Sequence, residues 1–187
     1  LIPSRYLTFL SEHLFFQCVN LLNEFWCLDK SFFLVTAICC LSFFADAQNS
    51  VPVFDFTKYE NRILHKNDTL YIVNFWATWC KPCIEELPIF EKVAQTYTQQ
   101  PVKIILVSQD AKTRTAQVND FLQKNKYTSE SFILSAGNPN VWIDKIDSNW
   151  SGTIPMTLFY KNGDKIYFHE GDYETYDELE KIIHSKL

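Results

Sequence analysis

The stretch "NFWATWCKPCIEELP", Asn74 to Pro88, decides how this chain is read. Two cysteines stand three apart, directly after an apolar run and two tryptophans. Upstream, "TLYIVNFW" (69–76) is apolar and rich in β-branched and aromatic residues, which predicts a strand. Downstream, residues 81–98 carry Ile84, Leu87, Phe90, Val93, Ala94 and Tyr97 at helical spacing, with Pro88 expected to kink the helix. A second run, "VKIILV" (102–107), is apolar throughout, as in a strand buried on both faces. Strand, helix and strand of this length make a parallel pair with a right-handed crossover. Cys80 therefore falls where the first strand gives way to the helix.

Three roles are open to such a pair. A structural zinc needs four ligands, and one Cys-x-x-Cys supplies two. The histidines past residue 48, His65, His169 and His184, are scattered without ligand spacing. A purely structural disulfide between residues three apart closes a tiny loop and removes little unfolded-state entropy. The redox role fits the position. At a helix N-terminus the dipole and the free amide groups favour thiolate over thiol, which makes Cys80 the nucleophile. Cys83, one turn further on, is placed to attack a mixed disulfide and release product. Pro82 suits the first turn, where its missing N–H would have been unpaired anyway. Lys81 adds a positive charge that favours the thiolate. Trp79 is read as a platform beside the thiols, Trp76 suits either platform or core, and Trp142 and Trp150 suit the core, although Trp150 stands close enough to Pro155 in sequence to line a substrate groove.

Further along, Val118, Phe121 and Leu122 predict a helix, and "SFIL" (131–134) a short strand. Asn138-Pro139 opens a helical piece through Ile146, with asparagine as cap and proline in the first turn. "PMTLFYKNGDKIYFHE" (155–170) is a β-hairpin turning at "NG". The last helix starts at Thr175, where Thr175 and Glu178 form a capping box and Tyr176, Leu179, Ile182 and Ile183 form the buried stripe. The fold class expected is α/β, a mixed sheet with helices on both faces.

The beginning of the chain has another character. In residues 30–47, "KSFFLVTAICCLSFFADA", a lysine precedes an apolar run that ends in the small-x-small pattern Ala45-Asp46-Ala47. This predicts a secretory signal peptide. Residues 1–29 begin with Leu1, and the chain's only methionine is Met156; an upstream or misassigned start is expected there. Residues 48–187 then form one domain, expected to be extracytoplasmic and periplasmic, either released by cleavage of the leader or held by it as a membrane anchor. Of the six cysteines only Cys80 and Cys83 lie past residue 40. A net charge of −5 and a pI near 5.4 offer no electrostatic footprint for nucleic acid.

"FWATWCKPC" resembles the active-site segment of the thioredoxin-like superfamily, and "SGTIPMTLFYKNGDKI" resembles its later cis-proline loop and hairpin. The run "CKPCIEELP" is similar to the Cys-x-x-Cys-x-x-Glu-x-Pro pattern of the TlpA/ResA-type extracytoplasmic reductases. The resemblance implies a thioredoxin fold with a helix-strand insert before the cis-proline loop, between Val107 and Ile154. It implies that Ile154-Pro155 is a cis bond beside the dithiol and that the Ile154 backbone docks substrate. Thioredoxin itself carries a buried aspartate where Asn74 stands, which leaves the proton-transfer role open; Glu86, three residues after Cys83 on one helical face, is the candidate to fill it, the alternative being an ordinary solvated glutamate. Glu85 is read as a surface charge.

The implied activity is thiol–disulfide exchange with protein substrates, without a bound cofactor or metal. Its direction would be reductive, with re-reduction by a membrane electron donor; cytochrome c maturation and thiol repair are two such tasks. An oxidase is the first rival. A copper-binding module of the same fold is the second, although His169 lies past the hairpin turn and matches poorly. A peroxidase is disfavoured, since no Pro-x-x-x-Thr-x-x-Cys segment occurs.

Overall fold

The computed structural model describes residues 50–187. The expected leader (30–47) and the segment before it (1–29) lie outside the described residues. In chain order the elements are β1 (Val53–Phe54), α1 (Phe56–Ile63), β2 (Leu70–Trp76), α2 (Lys81–Thr96), β3 (Val102–Ser108) and α3 (Thr115–Lys124). They continue with β4 (Glu130–Leu134), α4 (Pro139–Ile146), β5 (Met156–Lys161), β6 (Asp164–Glu170) and α5 (Tyr176–Lys186).

One six-stranded sheet runs in the order β1-β4-β3-β2-β5-β6. The first four strands in that order are parallel, while β5 is antiparallel to β2 and β6 to β5. Every residue of β2 is buried, as a central strand covered on both faces requires. Its side chains alternate between two cores. Leu70, Ile72 and Trp76 join Leu87, Phe90 and Val93 of α2, Val118 and Leu122 of α3, and Leu179 and Ile183 of α5. Tyr71, Val73 and Phe75 join Tyr59 and Ile63 of α1 and Trp142 and Ile146 of α4. Asn74 falls in the first of these rows, a buried polar side chain beneath α2.

The expected strands and helices are found to within two residues, apart from the first two elements, which sequence reading left unassigned. β1 has two residues, too few for any periodicity, and joins the sheet through Ile133 N–H to Pro52 O at 2.9 Å and Ser135 N–H to Phe54 O at 2.8 Å. In α1 only Tyr59 and Ile63 are buried, so its apolar stripe is thin; Asp55 caps it by accepting from Lys58 N–H at 2.8 Å. α2 runs unbroken through Pro88. The stretch between Val107 and Ile154 holds α3, β4 and α4, and β4 lies between β1 and β3. The hairpin turns at Asn162 and Gly163, both in the left-handed region at φ 56° and 84°, as a two-residue turn of this kind demands. The capping box is only half closed. Thr175 Oγ1 accepts from Glu178 N–H at 3.3 Å, but the Glu178 carboxylate takes the N–H of Glu174 instead of that of the cap residue.

The antiparallel pairing of β5 with β2 has a positional result. Met156 lies opposite Phe75, so the residues just before β5 meet the residues just after β2. Two segments far apart in sequence thus share the carboxyl end of the central strand.

Candidate active site at the start of helix α2

The chain leaves β2 through a tight turn, in which Cys80 N–H donates to Ala77 O at 3.1 Å. Asp110, just past β3 and 2% exposed, holds that turn. Its carboxylate accepts from Thr78 N–H at 2.8 Å, from the Thr78 hydroxyl at 2.6 Å and from the Ser108 hydroxyl at 3.0 Å. Cys80 is the cap of α2, and its Sγ accepts the N–H of Cys83 at 3.3 Å. One of the free amide groups of the first turn therefore points at the Cys80 sulfur. Cys80 and Cys83 are joined in a disulfide. Cys83 is fully buried, and Cys80 is only 6% exposed, so Cys80 is the accessible sulfur by contrast and not by wide exposure.

Around the pair, Trp79 is 61% exposed. Trp76 is fully buried and packs on Phe121 at 5.3 Å, which settles it as core. Lys81 lies on the outside, 3.6 Å from Glu85, a pair too solvated to contribute much stability. Pro82 occupies the first turn of α2.

Opposite the disulfide the Ile154–Pro155 peptide bond is cis, and Ile154 O lies 3.8 Å from Cys80 Sγ. Gly171 N–H donates to Pro155 O at 3.0 Å. Trp150, buried between Phe75 and Trp142, gives its indole N–H to Thr153 O at 2.7 Å. Gly152 in this loop has φ +90°, and a Cβ on it would sit 3.1 Å from Ile143 Cδ1 of α4, so both conformation and space call for glycine.

Glu86 lies under the dithiol on α2 and is 1% exposed. Oε1 accepts from Asn74 Nδ2 at 2.7 Å, and Oε2 accepts the Tyr173 backbone N–H at 3.0 Å. Asn74 Nδ2 also lies 3.2 Å from Thr157 Oγ1. Burial pushes the Glu86 carboxyl up to about 7; the Tyr173 and Asn74 donors oppose that rise, and the nearby Asp172 charge adds to it. A carboxyl poised near neutrality can give or take a proton without a large driving force.

Cys80, Cys83, Trp79, Lys81, Pro82, Ile154, Pro155 and Glu86 are thus gathered at one end of the sheet. Sequence reading missed Asp110, Thr157 and Tyr173. Tyr173 contributes only a backbone N–H, which any residue but proline could offer, so its identity carried no signal. Asp110 follows a strand as Ser-x-Asp, a pattern too common to single out. Among the described residues no group of three or more His, Cys, Asp and Glu is placed to hold a metal.

The thioredoxin family model matches residues 50–122. Sporulation thiol-disulfide oxidoreductase A of Bacillus subtilis (strain 168) is 34% identical over 67 residues, covering 35% of this chain and 41% of that protein. Thiol-disulfide oxidoreductase ResA of Bacillus anthracis is 33% identical over 76 residues, covering 36% and 44%. The chain thus matches less than half the length of these relatives. Among solved structures, a thiol:disulfide interchange protein of the thioredoxin family from Chlorobium tepidum TLS superposes with a TM-score of 0.52 at 20% identity, covering 64% of this chain and 80% of that one. A thioredoxin-like protein from Porphyromonas gingivalis superposes with a TM-score of 0.50 at 28% identity, covering 64% and 76%. These superpositions show the shared thioredoxin fold. Residues 50–187 have a thioredoxin fold.

Proposed function

We propose that this chain is a protein thiol–disulfide oxidoreductase that works outside the cytoplasm as a reductant. The observation that carries the reading is the placement of Cys80 Sγ at the cap of α2, 3.8 Å from Ile154 O. The nucleophile and an extended backbone edge for a partner chain are side by side. The extracytoplasmic setting rests on the sequence of residues 30–47 alone.

In the reduced protein the Cys80 thiolate attacks one sulfur of a partner disulfide. A Cys80–partner mixed disulfide forms and the partner's other sulfur leaves as thiolate. Cys83 gives its proton to Glu86, and its sulfur attacks Cys80 Sγ. The Cys80–Cys83 bond forms, the partner's second thiolate departs, and two electrons have passed to the partner. Trp79 offers an exposed ring for the partner chain, and Ile154 with Pro155 offers the docking edge. A membrane-borne dithiol donor then returns the two electrons by the reverse exchange.

The direction is tested by the reduction potential of the Cys80/Cys83 pair, equilibrated against glutathione or dithiothreitol. A reductant should lie at about −270 mV, whereas a value at about −120 mV would make the protein an oxidase.

A further inference from the structure

The loop that brings Ile154 to the dithiol is held from its outer side by one carboxylate, and we infer that Glu170 is a positioning residue for the docked partner chain. The inference rests on the oxidoreductase reading above. Glu170 is the last residue of β6. Its Oε1 accepts from the hydroxyls of both Ser151 and Thr153, and its Oε2 accepts the Ser151 N–H at 3.3 Å. The Ser151 hydroxyl in turn accepts the Thr153 N–H at 3.3 Å. On the inner side the loop is held by Trp150 on Thr153 O and by Gly171 on Pro155 O. Residues 150–155 are therefore gripped on the inner side by Trp150 and Gly171 and on the outer side by Glu170.

An extended partner can dock on the Ile154 backbone only if that peptide group is already aimed. Hydrogen bonding to it is directional, and ordering a loose loop at the moment of binding subtracts from affinity. Charge-assisted bonds to a carboxylate are stronger than neutral ones, so Glu170 is suited to keep the loop ordered before the partner arrives. A disulfide with no peptide backbone gains nothing from that order. Glu170 thus separates peptide disulfides from small ones without touching the reacting sulfurs.

The test uses the full chain, pre-reduced, with two oxidants: a disulfide joining two short linear peptides, and 2-hydroxyethyl disulfide. Glu170→Ala should raise the half-saturating concentration of the peptide disulfide about tenfold while the saturating rate stays within about twofold. Its rate with 2-hydroxyethyl disulfide should stay within about twofold of wild type. Ser151→Ala combined with Thr153→Val removes the same hydroxyl donors from the loop side and should give the same selective loss. That double variant carries the test if Glu170→Ala does not fold. Glu170→Gln keeps one carbonyl acceptor for the hydroxyls and should recover part of the affinity. Equal losses on both oxidants, or no loss on the peptide, would overturn the inference. A wild-type protein that reduces neither oxidant would instead overturn the oxidoreductase reading, and this inference with it.

Discussion

Cys83→Ala should accumulate covalent complexes with partner proteins on non-reducing gels, and Cys80→Ala should accumulate almost none. The asymmetry follows from the helix start. The Cys83 N–H points at Cys80 Sγ, and the remaining free amides of the first turn add to the positive end of the α2 dipole, so Cys80 is the sulfur whose thiolate is stabilised. Cys80 is 6% exposed while Cys83 is sealed, so of the two sulfurs Cys80 is the one that can attack a partner disulfide. With Cys83 removed, the mixed disulfide on Cys80 has no internal thiol to resolve it. With Cys80 removed, exchange should fall by about 10³-fold or more, the scale on which loss of a nucleophile acts. Equal trapping by the two variants would overturn the division of roles between the thiols.

Glu86→Gln should slow the resolving step by about 10²-fold at neutral pH and remove an inflection near pH 7 from its rate profile. The same group leaves a mark on stability. Below its ordinary value of 4.5 the carboxyl is protonated in both folded and unfolded chains. Between there and about 7 the unfolded chain releases the proton while the folded chain keeps it, so stability falls as pH rises across that window and levels off above it. Taken at 1.36 kcal/mol per tenfold, the whole fall is on the order of 3 kcal/mol. Urea midpoints at pH 4.5 and pH 8 should differ more in wild type than in Glu86→Gln. Comparing the two pH differences cancels whatever the glutamine costs in lost hydrogen bonds. Identical differences in both proteins would show that Glu86 titrates as a solvated carboxylate.

Much of the site was legible because its chemistry is local. Cys80, Cys83 and Glu86 sit on one helix, and the apolar run before them fixes where that helix starts. Ile154 and Pro155 were placed by resemblance, and β5 pairing against β2 explains why they arrive beside Cys80. What escaped is what only the third dimension supplies. Glu170 and Ser151 meet across the gap between a strand end and a loop. Asp110 grips Thr78 from just past the neighbouring strand. β1 and α1 escaped for another reason, since a two-residue strand and a helix with two buried side chains carry hardly any pattern.

The pairing of β2 with β5 also bears on the order in which the chain folds. β2, α2 and β3 are consecutive, so their unit closes a short loop, and the β5–β6 hairpin closes a shorter one. Joining Phe75 to Met156 closes a loop of roughly 80 residues and should come late. Before that moment Glu86 has Asn74, from its own unit, but neither the Tyr173 N–H nor the cover that α5 provides. The early unit therefore carries both cysteines on a helix whose acid lacks part of the burial that raises its pKa in the folded chain. The carboxyl acquires its full affinity for a proton only when the C-terminal half docks. Pulse-labelling of amides during refolding would register this as late protection of the Tyr173 N–H, and protection as early as that of β3 would contradict it.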